Sequence, residues 1–428
     1  MNKLHPSRRS ILGAGVALAA TSLVGCAATP SMSGGPSIGR VVVIGGGFGG
    51  ATAARYLKLW GGNVDVTLVE RNASFVSCPI SNLVLGGFKQ ISDVTFGYDG
   101  LKAIGVRVVQ GEVIAIDSST RKVRLAGGGE LAYDRLVLSP GIDFMLDQVG
   151  GLQAEVESGR ITHSWKAGPQ TVALRRQIEA MPDGGVFAIS IPLSPYRCPP
   201  GPYERACVVA AYLKVAKPRA KVLILDANPD VTSKKGLFMK AWADHYKGII
   251  EYRPNAVLKS VSGNVAKLEF EDVKADVLNV IPPQRAGDLA RTAGLVNVNQ
   301  RWVGVNWLTM EAQNNPGIHV IGDSTFSAPA MPKSGHMANQ HAKVAAAAII
   351  QLLKGEPVSP TPVVMNTCYS YVTGAEAMHV ASVHQYDAAE KTFKPVPGSG
   401  GVSAAASQIE GRIALGWAAN TWADTLAL

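Results

Sequence analysis

The run Arg40-Val-Val-Val-Ile44 passes directly into Gly45-Gly46-Gly47-Phe48-Gly49-Gly50 and then into Ala51-Thr-Ala-Ala-Arg-Tyr-Leu-Lys58. β-Branched residues favour a strand, clustered glycines a tight turn, and an alanine-rich segment a helix. Gly45, Gly47 and Gly50 fill a G-x-G-x-x-G pattern, and a second predicted strand, Asp65-Val-Thr-Leu-Val69, ends at Glu70. Strand, glycine loop, helix, strand and terminal acid in this order point to a dinucleotide-binding α/β unit. Its glycines let a pyrophosphate approach the backbone, the helix N-terminus offers free N–H groups, and the acid bonds ribose hydroxyls. A glycine pattern alone would carry far less.

Later segments narrow the choice of dinucleotide. Pro316-Gly-Ile-His-Val-Ile-Gly322-Asp323 reads as a strand ending in Gly-Asp, followed by an apolar helix from about Ser334 to Leu353. This arrangement resembles the second FAD-binding element of the glutathione-reductase-like flavoproteins, a resemblance that implies a bond from Asp323 to the ribityl chain. Tyr133-Asp-Arg-Leu-Val-Leu-Ser-Pro-Gly141 resembles that family's returning strand, with Ser-Pro-Gly where Ala-Thr-Gly is commoner.

A second strand–helix–strand unit is predicted from Val186–Ile191, Tyr203 to about Val215, and Lys221–Leu225 with Asp226 at its end. Its connecting loop carries Pro192, Pro195, Pro199, Pro200 and Pro202 instead of glycines. Prolines are stiff and bulky where a pyrophosphate needs the backbone, so nicotinamide binding is not expected there. The expected architecture is α/β, a glutathione-reductase-like flavoprotein with two nucleotide-binding-type (Rossmann-like) domains and a C-terminal interface domain. Residues 1–35 form a signal and linker, 36–150 the first part of the FAD-binding domain, and 151–285 the second Rossmann-like domain with its NAD site lost. Residues 286–355 form the second part of the FAD-binding domain, and 356–428 a C-terminal domain carrying Cys368.

Ser7-Arg8-Arg9-Ser10-Ile11-Leu12 and the apolar stretch to Val24 match a twin-arginine export signal, which predicts a periplasmic protein. Leu23-Val24-Gly25-Cys26 matches a lipoprotein processing box; Cys26 is then either acylated, anchoring the protein to a membrane, or removed by ordinary cleavage. The formal charge of +9 falls to +6 without residues 1–25, which hold Lys3, Arg8 and Arg9 and no acid. So modest and dispersed a charge argues against nucleic acid, and at most hints at an acidic protein partner. Eight histidines suggest no metal site, since His336 and His341 are five apart, off the i, i+4 spacing of two ligands on one helical face.

The five cysteines, Cys26, Cys78, Cys198, Cys207 and Cys368, are too few for a structural framework in a chain of 428 residues, so individual chemistry is expected. Cys207, within Arg205-Ala-Cys-Val-Val-Ala-Ala-Tyr212, fits a small buried hydrophobe. Cys78, Cys198 and Cys368 sit in longer motifs: Ser77-Cys78-Pro-Ile-Ser-Asn-Leu-Val-Leu-Gly-Gly87, Tyr196-Arg-Cys198-Pro-Pro-Gly-Pro-Tyr-Glu-Arg-Ala206 and Asn366-Thr-Cys368-Tyr-Ser370. With Ile281-Pro-Pro-Gln-Arg-Ala-Gly287 and Met331-Pro-Lys-Ser-Gly335, these resemble the flavoprotein subunit of flavocytochrome c sulfide dehydrogenase over nearly the whole chain.

That resemblance implies FAD attached covalently through Cys78, a redox disulfide between Cys198 and Cys368, sulfide as substrate, and electron transfer to a c-type cytochrome subunit. It leaves open which cysteine sulfide attacks. Haem attachment would need C-x-x-C-H, which the sequence lacks, so no haem is expected on this chain. Arg197 and Lys333 are candidate positive neighbours of a leaving thiolate, or else solvated surface charges. Glu204 is a candidate proton acceptor, or else a first-turn helix acid. Two other readings stand beside this one: a sulfide:quinone oxidoreductase, for which the tail residues Trp417 and Trp422 would line a membrane or partner face, and a flavin-bearing accessory subunit of a sulfur-oxidising system.

Overall fold

Val41, Val42 and Val43 are all buried, so the strand Gly39–Ile44 is covered on both faces, as the interior of a parallel sheet requires. The computed structural model describes residues 36–428; the export motif and Cys26 lie outside the described residues. In the six-stranded sheet, Gly39–Ile44 pairs in parallel with Val64–Glu70 on one side and Arg135–Leu138 on the other. Arg107–Gln110 extends one edge, and Asn315–Val320 followed by the antiparallel Glu311–Ala312 extends the other. Strands on either side of residues 151–285 thus share one sheet, and the Gly322-Asp323 turn ends a strand of the same sheet as the glycine loop.

The helices Phe48–Gly61 and Gly335–Lys354 pack against each other and bury Ala51, Ala54, Ala345 and Ala346. The first begins at Phe48 rather than Ala51 because Gly47 is its N-cap and Gly49 and Gly50 are already helical.

A four-stranded parallel sheet orders Ile250–Arg253, Lys221–Asp226, Val186–Ile191 and Val277–Val280. The helix after Val186–Ile191 spans Gly201–Ala216, two residues earlier than predicted, because Pro202 suits a first turn where no N–H is needed. The C-terminal region is an antiparallel sheet of Val363–Tyr371, Ala377–Asp387 and Thr392–Pro395, with Gly401–Val402 on the middle strand. It is closed by the helix Gln408–Leu426, whose N-cap Ser407 accepts from the Glu410 N–H at 3.1 Å. Trp422 of this helix faces inward, donating to the Ser77 hydroxyl at 2.9 Å with its ring 4.7 Å from that of Phe96, so it does not form an outer face. Among the described residues no helix is long and apolar enough to cross a membrane.

Candidate active site

A cleft of about 1000 Å³ opens at the C-terminal end of the six-stranded sheet, lined by Gly45, Gly46, Gly47, Glu70, Ser139 and Arg197 among others. The three pattern glycines serve different ends. A Cβ on Gly50 would stand 1.8 Å from the Gly45 carbonyl oxygen, and one on Gly45 2.3 Å from that of Ser139, so both are required by the chain itself. A Cβ on Gly47 would meet no protein atom within 4 Å; it would project into open space beside the cleft. The helix that starts there has no acid in its first turn and no side-chain cap, so its N–H groups remain available to an anion.

Glu70 holds this loop from the neighbouring strand: it accepts from the Gly46 N–H at 2.6 Å and from the Asn72 N–H at 2.8 Å. Asp323 follows Gly322, whose φ is +73°. One Asp323 oxygen lies 3.8 Å from the Arg197 guanidinium, while Oδ1 is buried without a hydrogen-bond partner. Burial pushes this carboxyl pKa up, against the pull of Arg197 and Lys333. An orphaned buried acceptor beside a glycine cradle with open space fits a dinucleotide carrying a hydroxylated linker, as FAD does.

A second, smaller cavity of about 80 Å³ brings Cys78, Cys198 and Cys368 together with Arg197, Glu204 and His336. Arg197 lines both this cavity and the cleft. Three remote segments build it. The short strand Phe75–Val76 carries the chain to Cys78, whose carbonyl accepts from the Ser81 hydroxyl at 2.6 Å. Ile80 follows at φ +73°, a strained setting for a buried β-branched residue that persists only where surrounding packing enforces it.

Cys198 stands at φ +57° in the proline-rich loop, its N–H donating to the Lys333 carbonyl and its own carbonyl accepting from the Gly201 N–H, both at 2.9 Å. A Cβ on Gly201 would come within 2.8 Å of the Cys198 sulfur, so this glycine makes room for a thiol. Cys368 arrives on the strand Val363–Tyr371. Both thiols are free and hydrogen-bond to each other.

The pair is electrostatically unequal. The hydrogen bond from Cys198 lowers the Cys368 pKa, with Lys234 acting in the same direction and burial opposing; the same bond, together with burial, raises that of Cys198. Glu204 accepts from Asn82 Nδ2 at 2.8 Å and from the Tyr371 N–H at 2.9 Å, and burial pushes its pKa up despite those bonds. His336 accepts from the Thr367 N–H at 3.0 Å, and burial holds it neutral with a pKa of about 4.

Lys333 is a correction to the sequence reading. Only its backbone carbonyl meets Cys198; its ammonium turns to the carbonyls of Asp323 and Thr325 and lies 3.8 Å over the Trp302 ring, where burial lowers its pKa to about 7. The cation beside Cys368 is Lys234, whose Nζ donates to the Cys368 carbonyl at 3.0 Å. Sequence reasoning missed it, because Thr232-Ser233-Lys234-Lys235 carries no cue separating a buried lysine from a solvated one. Cys207 lies elsewhere on the Gly201–Ala216 helix, buried, accepting from the Trp242 indole at 3.3 Å, with burial pushing its thiol up to about 12. Among the described residues no cluster of ligating side chains could hold a metal.

Residues 171–282 match the family described as the central part of the sulfide dehydrogenase [flavocytochrome c] flavoprotein chain, and residues 360–426 match the flavin-binding part of flavocytochrome c sulphide dehydrogenase. Residues 39–170 match the pyridine nucleotide-disulphide oxidoreductases. The sulfide dehydrogenase [flavocytochrome c] flavoprotein chain of Chlorobaculum thiosulfatiphilum is 58% identical over 45 residues, covering 10% of this chain and 94% of that sequence. This chain belongs to that family of flavoprotein oxidoreductases.

More distantly, mouse mitochondrial sulfide:quinone oxidoreductase is 24% identical over 303 residues, 67% of this chain and 65% of the mouse protein's length. The solved structure of sulfide:quinone oxidoreductase from Aquifex aeolicus superposes with a TM-score of 0.73 at 18% identity, covering 90% of this chain and 91% of the other. That likeness shows the fold, an α/β architecture with Rossmann-like domains of the kind expected from the sequence.

Proposed function

We propose that this protein oxidises sulfide through Cys198 and Cys368, carries FAD covalently on Cys78, and passes the electrons to a c-type cytochrome on a separate polypeptide. The observation that carries the reading is the convergence of the three cysteines in one cavity of about 80 Å³ with Glu204 and Arg197, next to a glycine-lined cleft. Gly45, Gly47, Gly50, Glu70, Gly322 and Asp323 form or support the FAD site, and Cys78 supplies the attachment point. A bound flavin supplies a two-electron acceptor that releases electrons singly.

With Cys198 and Cys368 oxidised to a disulfide, hydrosulfide attacks one sulfur: one S–S bond forms, the original S–S bond breaks, one cysteine keeps a persulfide and the other leaves as a thiolate. Glu204, its pKa raised by burial, is placed to exchange a proton with the thiols, and Arg197 adds positive charge beside Cys198. The lack of C-x-x-C-H in the sequence supports haem on a partner, and Arg8-Arg9 supports action in the periplasm.

Anaerobic sulfide is expected to bleach the flavin band and, with a cytochrome subunit supplied, to reduce cytochrome without added quinone. Cys368→Ser should retain flavin and lose the bleaching; bleaching that survives would refute the redox pair, as would an unchanged spectrum in wild-type protein with both cysteines verified as oxidised. Cys78→Ser should release flavin into an acid supernatant. A quinone acceptor is the second reading, favoured by the likeness to sulfide:quinone oxidoreductases; quinone reduction by sulfide in preference to cytochrome would establish it.

A further inference from the structure

Lys234 precedes the helix Lys235–His245 at φ +54°, and its side chain is buried. Its ammonium donates to the Cys368 carbonyl at 3.0 Å, the Ser370 hydroxyl at 2.7 Å and the Met378 carbonyl at 3.4 Å. All three acceptors are neutral. They replace the water that would solvate the ammonium and leave its charge uncompensated, a costly state for a buried cation. Glu204 and Glu410 act on it only through space. Two of the three tethers, the Cys368 carbonyl and the Ser370 hydroxyl, belong to the strand that carries the Cys368 thiol, so the charge is fixed to that segment.

We propose that Lys234 is a positioning residue that holds Cys368 as the thiolate of the reduced pair, with Cys198 as the protonated partner donating to it. This rests on the reading of Cys368 as a redox thiol and names the charge that supports it. The other charged or titratable groups around the pair are Arg197 from the proline-rich loop, Glu204 and Arg205 from the Gly201–Ala216 helix, His336 from the Gly335–Lys354 helix and Glu410 from the C-terminal helix. His336 is neutral, Arg197 and Arg205 act on Cys198, and Glu204 opposes ionisation of both thiols; Lys234 acts on both thiols but more strongly on Cys368, which makes it the cation that favours Cys368. The hydrogen bond from Cys198 and the Lys234 charge together outweigh burial at Cys368.

The test is alkylation of the chemically reduced holoprotein by iodoacetamide across a pH series, with Cys198 and Cys368 quantified separately by peptide mass. Cys368 should react at lower pH than Cys198. Lys234→Met should move the Cys368 midpoint up by about one pH unit or more, the size expected for losing a nearby opposite charge. Lys234→Gln keeps a donor without the charge and should behave as Lys234→Met, while Lys234→Arg should restore the wild-type profile. Flavin content and thermal melting report whether each variant is folded. Coincident profiles for the two cysteines in the wild type, or a Cys368 midpoint unmoved in a folded Met or Gln variant, overturn the proposal. Failure of the underlying reading shows separately, as sulfide bleaching that survives Cys368→Ser.

Discussion

Each parallel sheet sends its leading strand, Gly39–Ile44 or Val186–Ile191, into a loop and then a helix, and the two loops do opposite things. Residues 45–47 turn at once into the helix Phe48–Gly61, with the space above Gly47 left open. Residues 192–200 take a longer path through four prolines, and the glycine that follows, Gly201, makes room for the Cys198 sulfur.

The acids at the ends of the neighbouring strands differ in the same sense. Glu70 lines an open cleft and binds loop amides. Asp226 is fully buried, accepting from the hydroxyls of Tyr203 at 2.6 Å and Tyr252 at 3.1 Å and from the Asn228 N–H at 2.9 Å, so no ribose can reach it. The pairing of strands fixes where a ligand site lies, and the loop decides whether a nucleotide or a thiol occupies it.

The sharpest way to break this comparison is at Gly50 and Gly47. Gly50→Ala should cost on the order of 3 kcal/mol and abolish flavin binding, because the new methyl overlaps a carbonyl that cannot move without unmaking the turn. Gly47→Ala should keep its melting temperature in the flavin-free protein and fail to incorporate flavin. Equal behaviour of the two in melting and in absorbance at the flavin band would show that the loop is purely structural. A second prediction concerns the other loop. NADH and NADPH should leave the flavin oxidised under anaerobic conditions in which sulfide bleaches it, and bleaching by either would mean that the buried Asp226 opens to a nucleotide after all.

The comparison was largely legible in the sequence where it depends on local chemistry. The glycine loop, the proline loop and the strands Val186–Ile191 and Lys221–Asp226 follow from residue types at short spacing, because buried parallel strands are continuous apolar runs. Helix starts were off by two or three residues, since glycine and proline inside a first turn disguise it. The neighbours of the cysteines were less legible. Lys234, Asn82 and Arg205 come from different elements, and only packing shows that Arg205 bonds Asn82, Asn279 and the carbonyls of His163 and Ser164. Lys333 was placed by its position in a motif, which located its backbone correctly and its charge wrongly.

Gly201→Ala isolates the thiol-presenting function of the second loop. Its Cβ would press on the Cys198 sulfur at 2.8 Å and on the buried Trp165 ring at 2.9 Å, both side-chain rather than backbone contacts. Folding should therefore survive, flavin content should match the wild type, and sulfide-driven bleaching should slow about tenfold, the cost of a modest misplacement of a reacting group. Unchanged bleaching would mean that the position of the Cys198 sulfur is not set by this loop.

The smallest effect is expected at Cys207, which lies on the same helix as Glu204 but is enclosed by apolar side chains and Trp242. A thiol whose pKa is pushed up to about 12 by burial stays protonated near neutral pH, and Cys207 does not line the cavity of Cys78, Cys198 and Cys368. Cys207→Ala removes one sulfur from a packed site and the acceptor of one indole hydrogen bond, so it should cost about 1 to 2 kcal/mol in denaturant titration. Bleaching by sulfide and the alkylation profiles of Cys198 and Cys368 should be unaltered. A change in either would show that the helix Gly201–Ala216 couples its core to its first turn, and that what distinguishes the two loops extends into the packing beneath them.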